Sequence, residues 1–392
     1  MTNFRLTEAS TLPTDGFAGT LCGRVWRPDV AGPSVVALRS GDVFDISRAF
    51  PTMRDLCEAS HPAAAVRQAD GERLGSLAEL LANTPQDGRD SSKPWLLAPV
   101  DLQALKAAGV TFATSMIERV IEERARGESG AAVTIRAELS RLIGADLSTL
   151  KPGSPAATRL KEALLADGAW SQYLEVGIGP DAEIFTKSQP MSAVGAGEDA
   201  GYHAASVWNN PEPEIVVFVN SRGAIVGASL GNDVNLRDFE GRSALLLGKA
   251  KDQNASCAIG PFLRLFDATF SLDDVRSAEV SLRVEGEDGY VLEGGSSMAK
   301  ISRDPADLVS QMIGAAHRYP DGAALFLGTM FAPIADRDEP GKGFTHKTGD
   351  IVTVSADKLG RLTNRMRHSQ DCPPWEFGAG SLMRNLARRG LI

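Results

Sequence analysis

Two apolar runs separated by a short turn constrain this chain more than any other feature. Ile215 to Val219 and Ala224 to Leu230 flank Asn220-Ser221-Arg222-Gly223, so the segment reads as an antiparallel hairpin. Side chains alternate faces along a strand. Glu212, Glu214, Val216 and Phe218 therefore share one face of the first arm, while Ile215, Val217 and Val219 take the other. Such a strand is apolar on both sides and belongs in an interior. Pairing about the turn sets Asp233 opposite Asn210, two positions from the partner of Glu212. Three carboxylates thus converge at one end of the hairpin.

Two unit charges about 4 Å apart interact by roughly 4 kcal/mol at an effective dielectric near 20. Three buried acids must therefore take up protons or hold a cation. Oxygen ligation with no neighbouring Cys and no obligatory His selects a hard ion, Mg2+ first, with Mn2+ or Ca2+ as alternatives. Glu212, Glu214 and Asp233 are the predicted metal ligands. Three protein ligands leave positions open, the arrangement of a catalytic ion, and a 2-oxo carboxylate has two oxygens to fill them.

The rest of the chain frames this hairpin. Its 392 residues suggest two packed units. The polar stretch Asn83 to Pro94 reads as the link, dividing a small strand-rich N-terminal domain, residues 1–95, from a larger one, residues 96–392. Helical spacing marks Ser115 to Ala125, Ala131 to Ile143 and Ser154 to Leu174. Strands are predicted at Ser34 to Leu38, Val280 to Val284 and Ile351 to Ser355. Asp304 as N-cap and Pro305 at the first position start a helix expected to reach about His317. Thr186 to Tyr202, small, polar and Gly-rich, reads as a mobile loop. The fold class is α+β and strand-rich.

A net charge of -9 argues against nucleic acid or an anionic membrane as partner. The four cysteines are far apart and read as reduced thiols. With no signal sequence or spanning segment evident, a cytoplasmic enzyme is expected.

The spacing of Glu212, Glu214, Gly231-Asn232-Asp233, Lys251, Gly260-Pro261, Gly328-Thr329 and Lys347 to Asn364 resembles the fumarylacetoacetate hydrolase superfamily, from about residue 96 onward. Within it, Ala98 to Gly127, Trp170 to Pro190 and Asn232 to Asp252 are most similar to the 2-keto-3-deoxy-pentonate dehydratases. The resemblance implies a mixed β-roll with flanking helices, a homodimer or homotetramer, and conversion of a 2-keto-3-deoxy-pentonate derived from D-xylonate or L-arabinonate into 2,5-dioxopentanoate. That is a step of oxidative pentose breakdown.

It also implies roles. Glu183, ahead of the Gly-rich stretch, matches a family acid and is the expected base at C3. Lys251 is expected to stabilise the developing enolate and to touch substrate. Thr329, beside the permissive Gly328, is expected to bind the substrate carboxylate, and Lys187 to make a further contact. Ser115, Arg119 and Arg237 are weaker candidates, since such side chains more often form structural contacts. Superfamily hydrolases of carbon-carbon bonds pair a His with a Glu early in the large domain. Val110 to Arg126 contains no His, although His203 keeps an acylpyruvate-type hydrolase as the alternative. A non-catalytic metal-binding relative is the third reading.

Overall fold

The computed structural model describes residues 4–392 apart from 133, 136–149, 167, 169, 332 and 334. Among the described residues no helix is long and apolar enough to cross a membrane. Two large mixed sheets carry the architecture, with helices at their flanks and, among the described residues, no closed barrel. The larger sheet holds the hairpin at its middle. Its central order runs Leu21–Arg27, Cys257–Leu265, Ile225–Asp233, Pro213–Val219, Ala323–Phe326, Ala104–Gly109 and Glu183–Ser188. Gly32–Arg39, Asp42–Asp45 and Glu72–Ser76 extend it beyond Leu21–Arg27, so strands from the first hundred residues join the sheet that carries the carboxylates. The second sheet orders Val291–Ser297, Glu279–Glu285, Ile351–Ala356, Gly360–His368 and Asp199–Tyr202.

The two sheets bury different patterns, for one reason. Glu279–Glu285 alternates exposed and buried positions because one face meets solvent. Pro213–Val219 is buried throughout. Its Ile215, Val217 and Val219 pack with Leu282, Val284 and Val354 of the second sheet, while Val216 and Phe218 pack with Met53 and Leu56 from an N-terminal helix. The two-faced reading of this strand therefore holds.

The hairpin's register differs from expectation. Asn220 accepts from Gly223 N, as a turn there requires, but Val219 already pairs with Ile225, one residue beyond the expected partner, and a bulge between Phe218 and Val219 shifts the pairing by one more. Glu214 faces Gly231, Pro213 faces Asn232, and Asp233 N donates to Glu212 O at 3.0 Å. Asp233 therefore stands across from Glu212, and Asn210 pairs instead with Asn235. An inserted residue in one arm moves every pair beyond it, which a symmetric turn count cannot anticipate. The shift brings the three acids closer.

The predicted strands form at Gly32–Arg39, Glu279–Glu285 and Ile351–Ala356, and the first predicted helix at Ala113–Arg124. Ala131 to Ile143 lies largely outside the described residues. The single helix expected over Ser154 to Leu174 is two, Pro155–Ala166 and Gln172–Ile178, separated around Gly168 in the left-handed region at φ 64°. The helix capped by Asp304, whose carboxylate accepts from Ala306 N, ends at Met312 rather than near His317, one residue before the extended Ile313 and two before Gly314.

The Gly-rich stretch is not a free loop. Thr186 to Ser188 complete a strand, Asp199–Tyr202 joins the second sheet, and Gly197 N donates to Thr363 O. A Cβ on Gly195 would stand 2.7 Å from the backbone at Leu97 and Ala98. The small residues serve close passage against neighbouring strands, a use that composition alone cannot tell from mobility.

Candidate metal and catalytic site

Glu212, Glu214 and Asp233 come together. Each offers a carboxylate oxygen within 4.8 Å of the others, and all three residues are buried. Glu214 sits in the hairpin's first arm and Asp233 ends its second. The positions are held by backbone: Glu212 N donates to Asn232 Oδ1 at 3.0 Å, and Gly328 N donates to Glu214 Oε2 at 2.6 Å. Gly328 follows Ala323–Phe326, the neighbouring strand, so the sheet itself sets that contact.

Two cations of the pocket lining stand against the trio. Lys251, at the end of the short helix Leu247–Lys251, places Nζ 2.5 Å from Glu212 Oε2 and 3.0 Å from Asp233 Oδ2. Arg119, within Ala113–Arg124, places Nη2 2.5 Å from Glu212 Oε1. Burial pushes the Glu212 carboxyl up, but Lys251 and Arg119 outweigh it and hold it below the ordinary range. Burial opposes charge on Lys251 as well, yet Asp233, Glu212 and Glu240 prevail and keep it an ammonium. Among the described residues Glu214 forms no such ion pair. Burial, then Asp233 and Glu212, push it well above the carboxylate range. The donor set is thus one of hard oxygens whose mutual repulsion a hard cation would relieve.

Glu183 opens the strand Glu183–Ser188 and pairs across to Gly109. A Cβ on Gly109 would lie 2.1 Å from Glu183 Oε2, so the carboxylate occupies the space that glycine leaves. Burial of its carboxyl group and, next, the Glu240 carboxylate raise its pKa to about 7, against the opposing pull of Arg119 and Lys251. Glu183, the trio, Lys251 and Thr329 line one pocket. Thr329 Oγ1 accepts from Phe331 N at 3.1 Å, leaving its hydroxyl proton to donate elsewhere.

Lys187 is placed differently from a substrate contact. It is wholly buried and is not among the residues lining the pocket. Its Nζ lies 3.1 Å from Asp233 Oδ1 and 3.2 Å from Ser256 Oγ, so it braces Asp233 from behind. Ser115 and Arg237 do line the pocket. The Ser115 hydroxyl donates to Phe112 O at 3.0 Å, and Arg237 stacks over Trp208 while pairing with Glu122 at 2.7 Å. None of the five histidines is a lining residue.

Three acids of this pocket were not anticipated: Glu118, Glu122 and Glu240. Glu122 receives Arg119 at 2.7 Å, and Glu240 Oε2 lies 3.0 Å from Arg119 Nη1. A signal existed, since Glu118 and Glu122 are four residues apart on one helix whose neighbours Val120 and Ile121 are fully buried, and acids seldom share such a helix without a role.

Residues 180–367 match the family described as fumarylacetoacetate (FAA) hydrolase, C-terminal. A 2-dehydro-3-deoxy-D-arabinonate dehydratase of Saccharolobus solfataricus is 32% identical over 180 residues, 46% of this chain and 57% of that protein. A probable 2-keto-3-deoxyxylonate dehydratase of Haloferax volcanii is 29% identical over 192 residues, 49% of this chain and 62% of that protein. The chain thus spans about three fifths of the length of the curated relatives it matches. A solved 2-keto-3-deoxy-D-arabinonate dehydratase, complexed with magnesium and 2,5-dioxopentanoate, superposes with a TM-score of 0.61 at 20% identity, covering 89% of this chain and 99% of that one. Residues 180–367 thus carry a fumarylacetoacetate (FAA) hydrolase C-terminal domain, and the chain shares the fold of that solved structure.

Proposed function

We propose that the protein is a hydro-lyase that removes water from a 2-keto-3-deoxy-pentonate, derived from D-xylonate or L-arabinonate, to give 2,5-dioxopentanoate in oxidative pentose breakdown. One observation carries this reading: three buried carboxylates within 4.8 Å share a pocket with a fourth, Glu183, whose proton affinity is raised to about 7. The names of the matched relatives support the substrate class. Glu212, Glu214 and Asp233 would hold the cation, Mg2+ first, with Mn2+ or Ca2+ as alternatives. When bound, such an ion supplies Lewis-acid polarisation of a 2-oxo acid.

The chain's own residues supply the rest. Glu183 as carboxylate takes a proton from C3, which the adjacent ketone acidifies. The Lys251 ammonium, kept charged by Glu212 and Asp233, faces the negative charge that develops on the C2 oxygen. Thr329 donates its free hydroxyl proton to the substrate carboxylate, and Gly328 lets that group approach the backbone. Lys187 is a positioning residue for Asp233. The absence of any histidine from the pocket lining favours elimination over hydrolysis by an activated water. We further propose a homodimer or homotetramer, on the family resemblance, working in the cytoplasm, where four unpaired buried cysteines stay reduced.

The purified chain with Mg2+ and a 2-keto-3-deoxy-pentonate should yield 2,5-dioxopentanoate, read as aldehyde formed. Release of pyruvate from an acylpyruvate in its place would identify a hydrolase. Because burial and the neighbouring acids raise the proton affinity of Glu214, and a ligand must ionise, Mg2+ binding near neutral pH should release protons. Titration calorimetry in buffers of different ionisation enthalpy reads this directly, and buffer-independent heats would contradict it.

A further inference from the structure

Loss of water from C4 needs a base at C3 and also an acid at the departing oxygen, because hydroxide leaves poorly. The search for that acid can be made by charge. The pocket lining contains seven acidic side chains against Arg119, Arg237 and Lys251. A dication removes half of that excess, and an anionic substrate returns one negative charge. Buried carboxylates in such excess keep protons. Glu212, Glu214 and Asp233 are committed to the cation, Glu118 and Glu122 are paired with Arg237, and Glu122 also with Arg119. Glu183 remains, and so does Glu240, whose ion pair, to Arg119 at 3.0 Å, is with a guanidinium already engaged by Glu122 and Glu212.

We propose that Glu240 is a second catalytic carboxyl, which gives its proton to the C4 hydroxyl as Glu183 takes one from C3. This rests on the dehydratase reading above. Glu240 projects from the short helix Arg237–Arg242, is buried, and lines the same pocket as Glu183. Its Oε2 is fully enclosed yet accepts no hydrogen bond among the described residues, although Arg119 Nη1 lies 3.0 Å away. A buried carboxylate so poorly satisfied is costly in a purely structural role. Burial raises the proton affinity of Glu240, and Arg119 opposes that rise, so Glu240 is protonated more readily than a free carboxyl and still surrenders the proton beside a guanidinium. Burial raises the proton affinity of Glu183 as well, which suits a group that must accept a proton from carbon.

The step balances. The C3–H bond breaks, its proton goes to Glu183, and its electron pair forms the C3–C4 double bond. The C4–O bond breaks and the oxygen leaves as water with the Glu240 proton. Glu183 is then an acid and Glu240 a carboxylate, which suits the tautomerisation that follows. Glu240 takes a proton from C5 while Glu183 returns one to C3. The enol at C4 and C5 then becomes the aldehyde by moving its hydroxyl proton to C4. Both carboxyl groups end as they began.

The test compares leaving groups. A 4-deoxy-4-fluoro analogue of the substrate expels fluoride, which needs no proton. In Glu240→Gln, dehydration of the natural substrate should fall roughly 10²- to 10⁴-fold, whereas fluoride release and deuterium exchange at C3 should fall less than about tenfold. Equal loss of all three, or dehydration at the wild-type rate, overturns the assignment. Should Glu240→Gln fail to fold, Glu240→Asp is read the same way, with dehydration impaired more than fluoride release. Wild-type protein that neither dehydrates the substrate nor exchanges its C3 protons would remove the dehydratase reading itself, and this proposal with it.

Discussion

Glu214→Gln is expected to abolish catalysis while leaving the metal-free fold intact. Turnover should fall by roughly a thousandfold or more, about 4 kcal/mol of transition-state stabilisation. Burial and the neighbouring carboxylates disfavour charge on Glu214 in the metal-free chain, so a neutral amide of the same shape should cost little there, and its carbonyl still accepts from Gly328 N. What is lost is the third ligand charge. Thermal unfolding in the presence of a chelator should therefore be unchanged, whereas the rise in Tm that Mg2+ gives the wild type should disappear. Asp233→Asn provides the contrast. It removes the anion facing Lys251 at 3.0 Å and Lys187 at 3.1 Å, both buried, and should cost about 3–5 kcal/mol of stability even without metal. Equal destabilisation by the two variants would show that Glu214 is ionised before metal binds.

Glu183→Gln should lower kcat by roughly 10²- to 10⁴-fold with Mg2+ binding retained, since Glu183 stands outside the ligand trio. The pH profile gives an independent reading. A base must be ionised, so kcat/KM should drop about tenfold per unit as the pH falls below the pKa of Glu183. That pKa is about 7 without metal, and a nearby dication favours the carboxylate and moves the limb lower. The limb should vanish in Glu183→Gln. Gly109→Ala tests the same group without touching its chemistry: the new Cβ would lie 2.1 Å from Glu183 Oε2, at the free end of a flexible side chain. That carboxylate should swing away and activity fall, with little change in Tm. A Gly109→Ala protein of full activity would separate Glu183 from catalysis.

The matched domain and the fold class were within reach of the sequence because their signals are local. The Glu212-x-Glu214 spacing, the apolar content of both faces of one strand, and the Gly and Pro punctuation survive without knowledge of any distant contact. The N-cap at Asp304 was equally local.

What failed or was missed depended on long-range contacts. The bulge that puts Asp233 across from Glu212 belongs to a strand wedged between two others, and the Gly-rich stretch owes its packing to strands far away in the chain. Arg119 reaches Glu212 across ninety-three positions, and the Glu240 carboxylate bears on Glu183 only because separate elements converge on one pocket. The acidity of Glu183 is likewise a property of its surroundings. Side-chain identity and alternation settled which residues could gather, since they act between near neighbours. Only the tertiary structure decided which charges face one another, because Coulomb interaction and desolvation depend on distance and burial that no local pattern encodes.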